Sequence, residues 1–304
     1  MSDAGTMDQG FDDWQQRCAQ IDRLGHVFVC GVAKSGTTWV QRLLNGHPEM
    51  VLSGEGGFAW AWLPRLQAAA RDFNAHQDTH GIAPHTKLGG EELAFLFRQS
   101  VLSRLASYAQ ASGGADGLVG LKAIGDKTPQ HTLAISLLAE VFPRARFVHV
   151  VRDPLDAATS AWHHFGAKSG RTLEQHVKWF VTEAWAVGVR AAVQAEQELD
   201  GRVRHVRYED LHAQPERYVG ELLAHLSPFG VTNDAASVAA CLEAGSFKKA
   251  TGGRDRGEAQ NSAFFRKGVV GDWHELIDDR LAAQVCAPVG DLMQRFEYRL
   301  PAAV

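Results

Sequence analysis

His26-Val27-Phe28-Val29-Cys30-Gly31-Val32-Ala33-Lys34-Ser35-Gly36-Thr37-Thr38-Trp39-Val40-Gln41-Arg42-Leu43-Leu44-Asn45 is the stretch that decides the fold. Its first six residues form a short apolar run, the pattern of a strand buried on both faces of a parallel sheet. A Gly/Ser/Thr turn follows. From Thr38 to Asn45 the apolar residues take helical spacing, and Gly46 and Pro48 close the helix. Strand, loop and helix in this order gather backbone N–H groups and a helix N-terminus at one point, which makes an anion site.

The rest of the chain repeats the alternation. Met50–Ser53, Leu118–Lys122, Arg146–Val151 and Val203–Arg207 read as strands. Helical spacing covers residues 91–110, Thr132–Val141, the stretch entered at Pro154, Thr172–Leu199, Pro215–Leu226, Asp234–Ala244 and about Arg280–Arg295. Residues 54–90, rich in Gly, His, Trp and Pro, read as irregular, and Gly245–Gly257 as a Gly-rich basic segment, mobile or ordered by a ligand. Strands alternating with helices predict an α/β fold: three α/β/α layers about a mostly parallel sheet, P-loop NTPase-like in its first unit. No repeat or linker divides the 304 residues, so one domain is expected, with residues 1–25 as a loosely packed N-terminal extension.

Composition narrows the function classes. The formal net charge of −4 gives no global field for nucleic acid or an anionic membrane, so an anion site must be built locally. The four cysteines are scattered without CxxC or His/Cys spacing, which predicts free thiols, a reducing cytoplasmic setting and no structural metal. No secretory signal and no apolar run of about 18 residues are seen, so no membrane span is expected. Homo-oligomerisation stays open.

The loop between Gly31 and Thr38 has a Gly-x4-Gly frame, yet Thr37 and Thr38 stand where a nucleoside triphosphatase would carry Lys and Ser/Thr. The lysine lies inside the loop, at Lys34. In an NTPase the lysine spans the β- and γ-phosphates and the hydroxyl holds Mg²⁺. Placed earlier, Lys34 suits the oxygen that bridges a 5′-phosphate to a transferable group. A sulfuryl group carries less charge than a phosphoryl group, and a lysine with backbone donors suffices for it without a metal. Arg152 ends the strand Arg146–Val151, where open α/β sheets bind ligands, and Ser160 follows two helical turns later. The two can share a phosphate, or Arg152 can pair with a carboxylate at the helix start. Arg266-Lys267-Gly268 sets two cations beside a glycine, a second anion contact or a solvated turn.

Lys34-Ser35-Gly36-Thr37-Thr38-Trp39 resembles the 5′-phosphosulfate loop of sulfotransferases that use 3′-phosphoadenosine 5′-phosphosulfate (PAPS). Arg152 to Ser160, with its eight-residue spacing, resembles that family's 3′-phosphate motif. Phe265-Arg266-Lys267-Gly268-Val269-Val270-Gly271-Asp272-Trp273 resembles the C-terminal signature that closes over the same phosphate. Arg207-Tyr208-Glu209 and Gly245-Ser246-Phe247 resemble weaker elements, whose Tyr208 and Phe247 would contact the nucleotide. The resemblance spans about residues 26–275. It implies PAPS as donor, 3′,5′-bisphosphoadenosine (PAP) as product, and a small-molecule or glycan hydroxyl as acceptor.

The acceptor side departs from the small-molecule branch, which places a catalytic His soon after a Lys-Thr or Lys-Ser pair. Here Lys127-Thr128 is followed by Pro129 at that position. His47–Glu55 and Lys127-Thr128-Pro129 instead resemble elements of the tyrosylprotein and glycosaminoglycan branches. That implies Glu55 as general base, Lys34 on the leaving side and Lys127 as charge stabiliser. His131, His163 and His164 are alternative bases. A P-loop kinase or NTPase, and a donor-binding protein without turnover, are the competing readings.

Overall fold

The fold was obtained as a computed structural model that describes residues 4–81, 86–113, 118–258 and 267–301. Strand β1 (Gly25–Gly31) is buried along its whole length. Val27 and Val29 join one hydrophobic cluster, with Val40, Leu43 and Leu223, while Phe28 and Cys30 join another, with Leu102, Leu138 and Phe147. Alternate side chains of a strand point to opposite faces. A strand apolar on both faces therefore needs helices on both, and this sheet has them.

Four further strands complete the sheet: β2 (Met50–Gly54), β3 (Ala123–Lys127), β4 (Arg146–Val151) and β5 (Val203–Arg207). The order is β2-β3-β1-β4-β5 and every pairing is parallel. The helices Thr37–Leu44, Pro215–Leu226 and Ala235–Ala244 supply the cluster on the Val27 face. Gly90–Gly113, Ile135–Val141 and Ala186–Glu198 supply the Phe28 face. A third cluster joins the helices Pro154–His164, Leu173–Trp179, Asp279–Cys286 and Gly290–Arg295 around Trp185, with no exposed surface on that ring. The expected three-layer α/β/α architecture is present. Among the described residues no helix is long and apolar enough to cross a membrane.

Several boundaries differ from the sequence reading. The third strand is Ala123–Lys127, not Leu118–Lys122, and residues 118–120 are a turn. Its Gly-Asp-Lys end looks like a loop, yet all five residues are buried. A Cβ on Gly125 would lie 1.7 Å from the Val27 carbonyl oxygen, so only glycine lets β3 approach β1. Asp126 is satisfied by hydrogen bonds from other segments. Residues 58–79 are not irregular: Phe58–Trp62 forms a π-helical turn that leads into a helix at Leu63–Thr79. That helix buries only Ala70 and Gln77, so its sequence carries no apolar stripe. Within Gly245–Gly257 a short helix forms at Phe247–Thr251, capped by Ser246. The last helix is broken between Cys286 and Gly290, where Pro288 stands. The N-terminal stretch is docked rather than loose at its second half: the helix Ala4–Arg23 buries Cys18 and Ile21, and Arg17 donates to Gln110 at 2.9 Å.

Three desolvated histidines tie stability to pH. Burial lowers the pKa of His26, His131 and His225 from 6.5 to about 4. Between pH 4 and 6.5 the unfolded chain therefore binds more protons at these sites than the folded one, and acid favours unfolding. Asp153 acts in the opposite sense, because burial pushes its carboxyl up to about 7 and the folded chain keeps a proton that the unfolded chain has lost. Each such proton changes stability by about 1.4 kcal/mol per pH unit within its window. The histidines outnumber the aspartate, so the urea midpoint is expected to fall as pH is lowered from 7 to 5. A midpoint that stays level or rises would contradict this assignment.

Candidate active site

The parallel sheet delivers the carboxyl end of every strand to one edge, where open α/β sheets bind ligands. After β1 comes the Lys34 loop, after β2 Glu55, and Lys127 ends β3. Arg152 follows β4, and Tyr208 follows β5. A cavity of about 340 Å³ opens along this edge. Twelve of the sequence-predicted donor and catalytic residues line it: Lys34, Gly36, Thr37, Thr38, Trp39, Glu55, Arg152, Ser160, Tyr208, Phe247, Lys267 and Gly268. Ser35 and Lys127 are buried and do not line it, and Lys127 donates to Glu55, which does. Arg266 lies outside the described residues.

The loop itself is tightly bent. Gly36 (φ 101°) caps the helix Thr37–Leu44, and a Cβ there would lie 2.6 Å from the Tyr208 ring, so glycine is required twice over. Lys34 also has a positive φ, 72°, and Glu55 has 26°. Among the described residues the only other non-glycine of this kind is Glu297. Left-handed backbone at non-glycine residues is costly and concentrates at functional sites. Lys34 is mostly buried, and its pKa falls to about 8. Desolvation is the first cause and the neighbouring Arg152 charge the second; Glu55 opposes the shift and Lys127 adds to it.

Arg152 is the hub of the contacts around the Lys34 loop. Its guanidinium donates to the Lys34 carbonyl at 3.4 Å and to the Val269 carbonyl at 3.1 Å, and it lies 4.5 Å from the Tyr208 ring centroid. Its own carbonyl accepts from the Trp185 indole at 2.8 Å. The buried Nε of Arg152 and Oγ of Ser35 make no hydrogen bond among the described residues. Trp39 stands edge-on to Tyr208 at 5.3 Å and donates its indole N–H to the Gly245 carbonyl at 2.9 Å. Arg256, which the sequence reading did not single out, sits 5.1 Å from the Trp39 ring centroid and lines the same wall. Its one signal was the basic, Gly-rich stretch that contains it.

Lys267 departs from expectation. Its ammonium lines the cavity but is held by Asp272 at 2.8 Å and by both oxygens of Glu275 at 2.7 Å. Its charge is thus spent on fixing the turn that carries Gly268, and Phe247 packs on Gly268.

On the β2–β3 side of the cavity Lys127 donates to Glu55 Oε1 at 2.6 Å, and the Glu55 amide donates to the Lys127 carbonyl at 2.8 Å. Lys127 is buried and Glu55 is largely exposed. Both are stitched in place by Asp126, which accepts from Ser53 Oγ at 2.9 Å, the Gly56 amide at 2.8 Å and Thr128 Oγ1 at 2.6 Å. Pro129, Gln130, His164 and Phe165 complete this wall. The three candidate histidines part company. His131 is fully buried between Phe28 and Phe58, has its pKa lowered to about 4 by desolvation, and does not line the cavity. His163 is half-buried and also off the cavity. His164 lines it, and the Lys34 charge lowers its pKa.

A phosphate-type loop at the switch point of a parallel sheet, with its lysine inside the turn and an arginine on the next strand, defines a nucleotide-binding group-transfer class. A model described as the sulfotransferase family matches residues 26–228, and the chain belongs to that family. An omega-hydroxy-beta-dihydromenaquinone-9 sulfotransferase of Mycobacterium tuberculosis is 33% identical over 106 residues, covering 33% of this chain and 27% of that protein. The nodulation protein NoeE of Sinorhizobium fredii is 28% identical over 226 residues, covering 67% of this chain and 51% of its own. The chain thus spans a quarter to a half of these relatives' lengths. Among solved structures, the sulfotransferase domain of the Synechococcus PCC 7002 olefin synthase superposes with a TM-score of 0.56 at 19% identity, covering 91% of this chain and 96% of that one. Mouse sulfotransferase SULT7A1 complexed with PAP gives 0.52 at 15% identity, with 93% of each chain covered. At such identities the likeness establishes the shared fold.

The depressed Lys34 pKa is directly measurable. Competitive acetylation across a pH series, read by peptide mass spectrometry, should give Lys34 a half-point near pH 8, against about 10.4 for solvated lysines. A bound polyanion should move that half-point up, because it favours the charged form. A half-point above pH 10 without ligand would contradict the desolvated, Arg152-flanked placement.

Proposed function

We propose that the chain transfers a sulfuryl group from PAPS to an acceptor hydroxyl by in-line displacement, releasing PAP. The carrying observation is that one cavity of about 340 Å³ is lined by Lys34 of the first loop, Arg152 and Ser160 after β4, and Lys267-Gly268 of the C-terminal turn. A donor with a 5′-phosphosulfate and a separate 3′-phosphate needs two anion sites joined by a nucleoside slot. The Lys34–Thr38 loop fits the first, and Arg152, Ser160 and the Gly268 turn fit the second. Trp39, Tyr208 and Phe247 are aromatic faces that suit the nucleoside between them.

In the reaction the acceptor oxygen attacks sulfur, the bond from sulfur to the 5′-phosphate oxygen breaks, and its electron pair stays on that phosphate. Lys34 is assigned to the oxygen left behind, where a protonated ammonium neutralises the developing charge. Glu55 is assigned as the group that takes the acceptor proton. Lys127 holds Glu55 Oε1 at 2.6 Å, leaving the carboxylate anchored while its other oxygen meets the acceptor. Lys127 is also assigned to steady charge on the transferring group. Small-molecule and glycan hydroxyls are the proposed acceptors, and the mycobacterial relative, itself named for a hydroxylated compound, supports a hydroxyl acceptor. We take residues 1–304 as one catalytic domain working in the cytoplasm; the four buried cysteines, all free, support a reducing setting. A kinase or NTPase reading is disfavoured by Thr37 and Thr38 at the positions of the triphosphatase lysine and its hydroxyl partner.

The test is transfer of label from sulfuryl-labelled donor to a panel of alcohols, phenols and oligosaccharides. Transfer to at least one hydroxyl class is expected, with stoichiometric PAP; label that never leaves the donor for any of them would count against the proposal. Glu55→Gln should lower kcat by about 100-fold or more and leave donor affinity within about twofold. Unchanged turnover in that variant would remove Glu55 from proton transfer.

A further inference from the structure

The C-terminal turn that carries Gly268 is gripped by a residue that does not itself line the cavity. Asp156 sits on the first turn of the helix Pro154–His164 and is 1% exposed. Both of its oxygens are engaged. Oδ2 accepts from the Gly271 amide at 2.8 Å, and Oδ1 accepts from the Trp273 amide at 3.1 Å. Arg152, one turn earlier, holds its Nη2 at 3.7 Å from Asp156 Oδ2. One carboxylate therefore touches both halves of the second anion site, the arginine after β4 and the turn that closes over it.

The remaining contacts transmit that grip. Asp272, between the two held amides, binds the Lys267 ammonium at 2.8 Å. The Gly268 carbonyl meets His212 Nε2 at 3.2 Å, and the Val269 carbonyl takes Arg152 Nη2 at 3.1 Å. With residues 271–273 fixed from beneath and Lys267 fixed to Asp272, the Gly268–Val269 backbone has a set height above Arg152. Buried charge-assisted hydrogen bonds of this type hold geometry more firmly than neutral ones.

We propose that Asp156 is the positioning residue for recognition of the donor's 3′-phosphate: it holds Gly271 and Trp273 so that Gly268 and Val269 stand over Arg152. The proposal rests on the reading that a 3′-phosphate binds between these groups. Among the described residues Asp156 makes no hydrogen bond to the Lys34 loop and is linked to it through Arg152, so its effect falls first on the second anion site. Asn in its place keeps one acceptor oxygen and turns an amide N–H toward the other backbone N–H. One hydrogen bond is thereby lost, and a donor faces a donor.

Calorimetric titration of the whole chain with PAP and with adenosine 5′-phosphate, on wild type and Asp156→Asn, is the test. In wild type PAP should bind at least about tenfold more tightly than the monophosphate. In the variant the PAP affinity should fall at least about tenfold, while the monophosphate stays within about twofold. If wild type does not distinguish the two ligands, the donor reading fails. If wild type distinguishes them and the folded variant keeps the same ratio, or loses both affinities equally, the Asp156 proposal is overturned. Should the variant not fold, hydrogen exchange on wild type decides. PAP should slow the Gly271 and Trp273 amides well beyond the monophosphate, and equal protection by both ligands would overturn the proposal.

Discussion

A parallel strand leaves its carboxyl end on the same edge as its neighbours', and here five strands do so in the order β2-β3-β1-β4-β5. β1 sits at the centre, with β3 on one side and β4 on the other, so the chain order reverses across it. The Lys34 loop emerges at that switch point, Glu55 and Lys127 stand to one side, and Arg152 and Tyr208 to the other. The separation of Glu55 and Lys127 from Arg152 and Tyr208 follows from this topology before any side-chain contact is considered. What the side chains add is the fixing of each loop to the next. Asp126 ties β2's end to β3's, Arg152 ties β4's end to the Lys34 loop, and Asp156 ties the C-terminal turn to Arg152.

The site is an electrostatic exception in a chain of net charge −4. Lys34, Arg152 and Arg256 converge on one cavity, and Lys127 lies behind it. Desolvation first, and then the like charge of Arg152, is why Lys34 holds its proton only to about pH 8. The left-handed backbone of Lys34 and Glu55 adds to that cost. An anion in the cavity relieves the repulsion among the cations, so part of the binding free energy is already stored in the folded chain. Lys267 shows the complementary design: its charge is neutralised by Asp272 and Glu275 and serves to shape the turn.

Much of this was legible in the sequence, and the misses have physical reasons. β1, its loop and the Arg152 strand were readable because a doubly buried parallel strand is a continuous apolar run that ends abruptly in polar chemistry. β3 was placed five residues early because Gly125, Asp126 and Lys127 look solvated. They are buried only because Ser53, Gly56 and Glu55 on a neighbouring strand's end satisfy them. The helix Leu63–Thr79 was missed because it covers the core with little of its surface. Asp156 carried no signal of its own, since its partners are backbone amides 115 and 117 residues away. Pro129, read as a departure from the histidine-bearing branch, lines the same cavity as Glu55.

On the proposed function, the Lys34 loop and the Arg152–Gly268 clamp together take a 3′,5′-bisphosphorylated nucleoside and not a triphosphate with Mg²⁺. Thermal unfolding of the whole chain with saturating PAP, and separately with saturating ATP and Mg²⁺, tests it most directly. At a hundredfold excess over its Kd, a ligand of the folded state adds about 2.7 kcal/mol. That predicts a rise in Tm of several degrees, on the order of 4 °C or more, with PAP and little with ATP and Mg²⁺. A rise with ATP and Mg²⁺ that PAP fails to match would contradict the account.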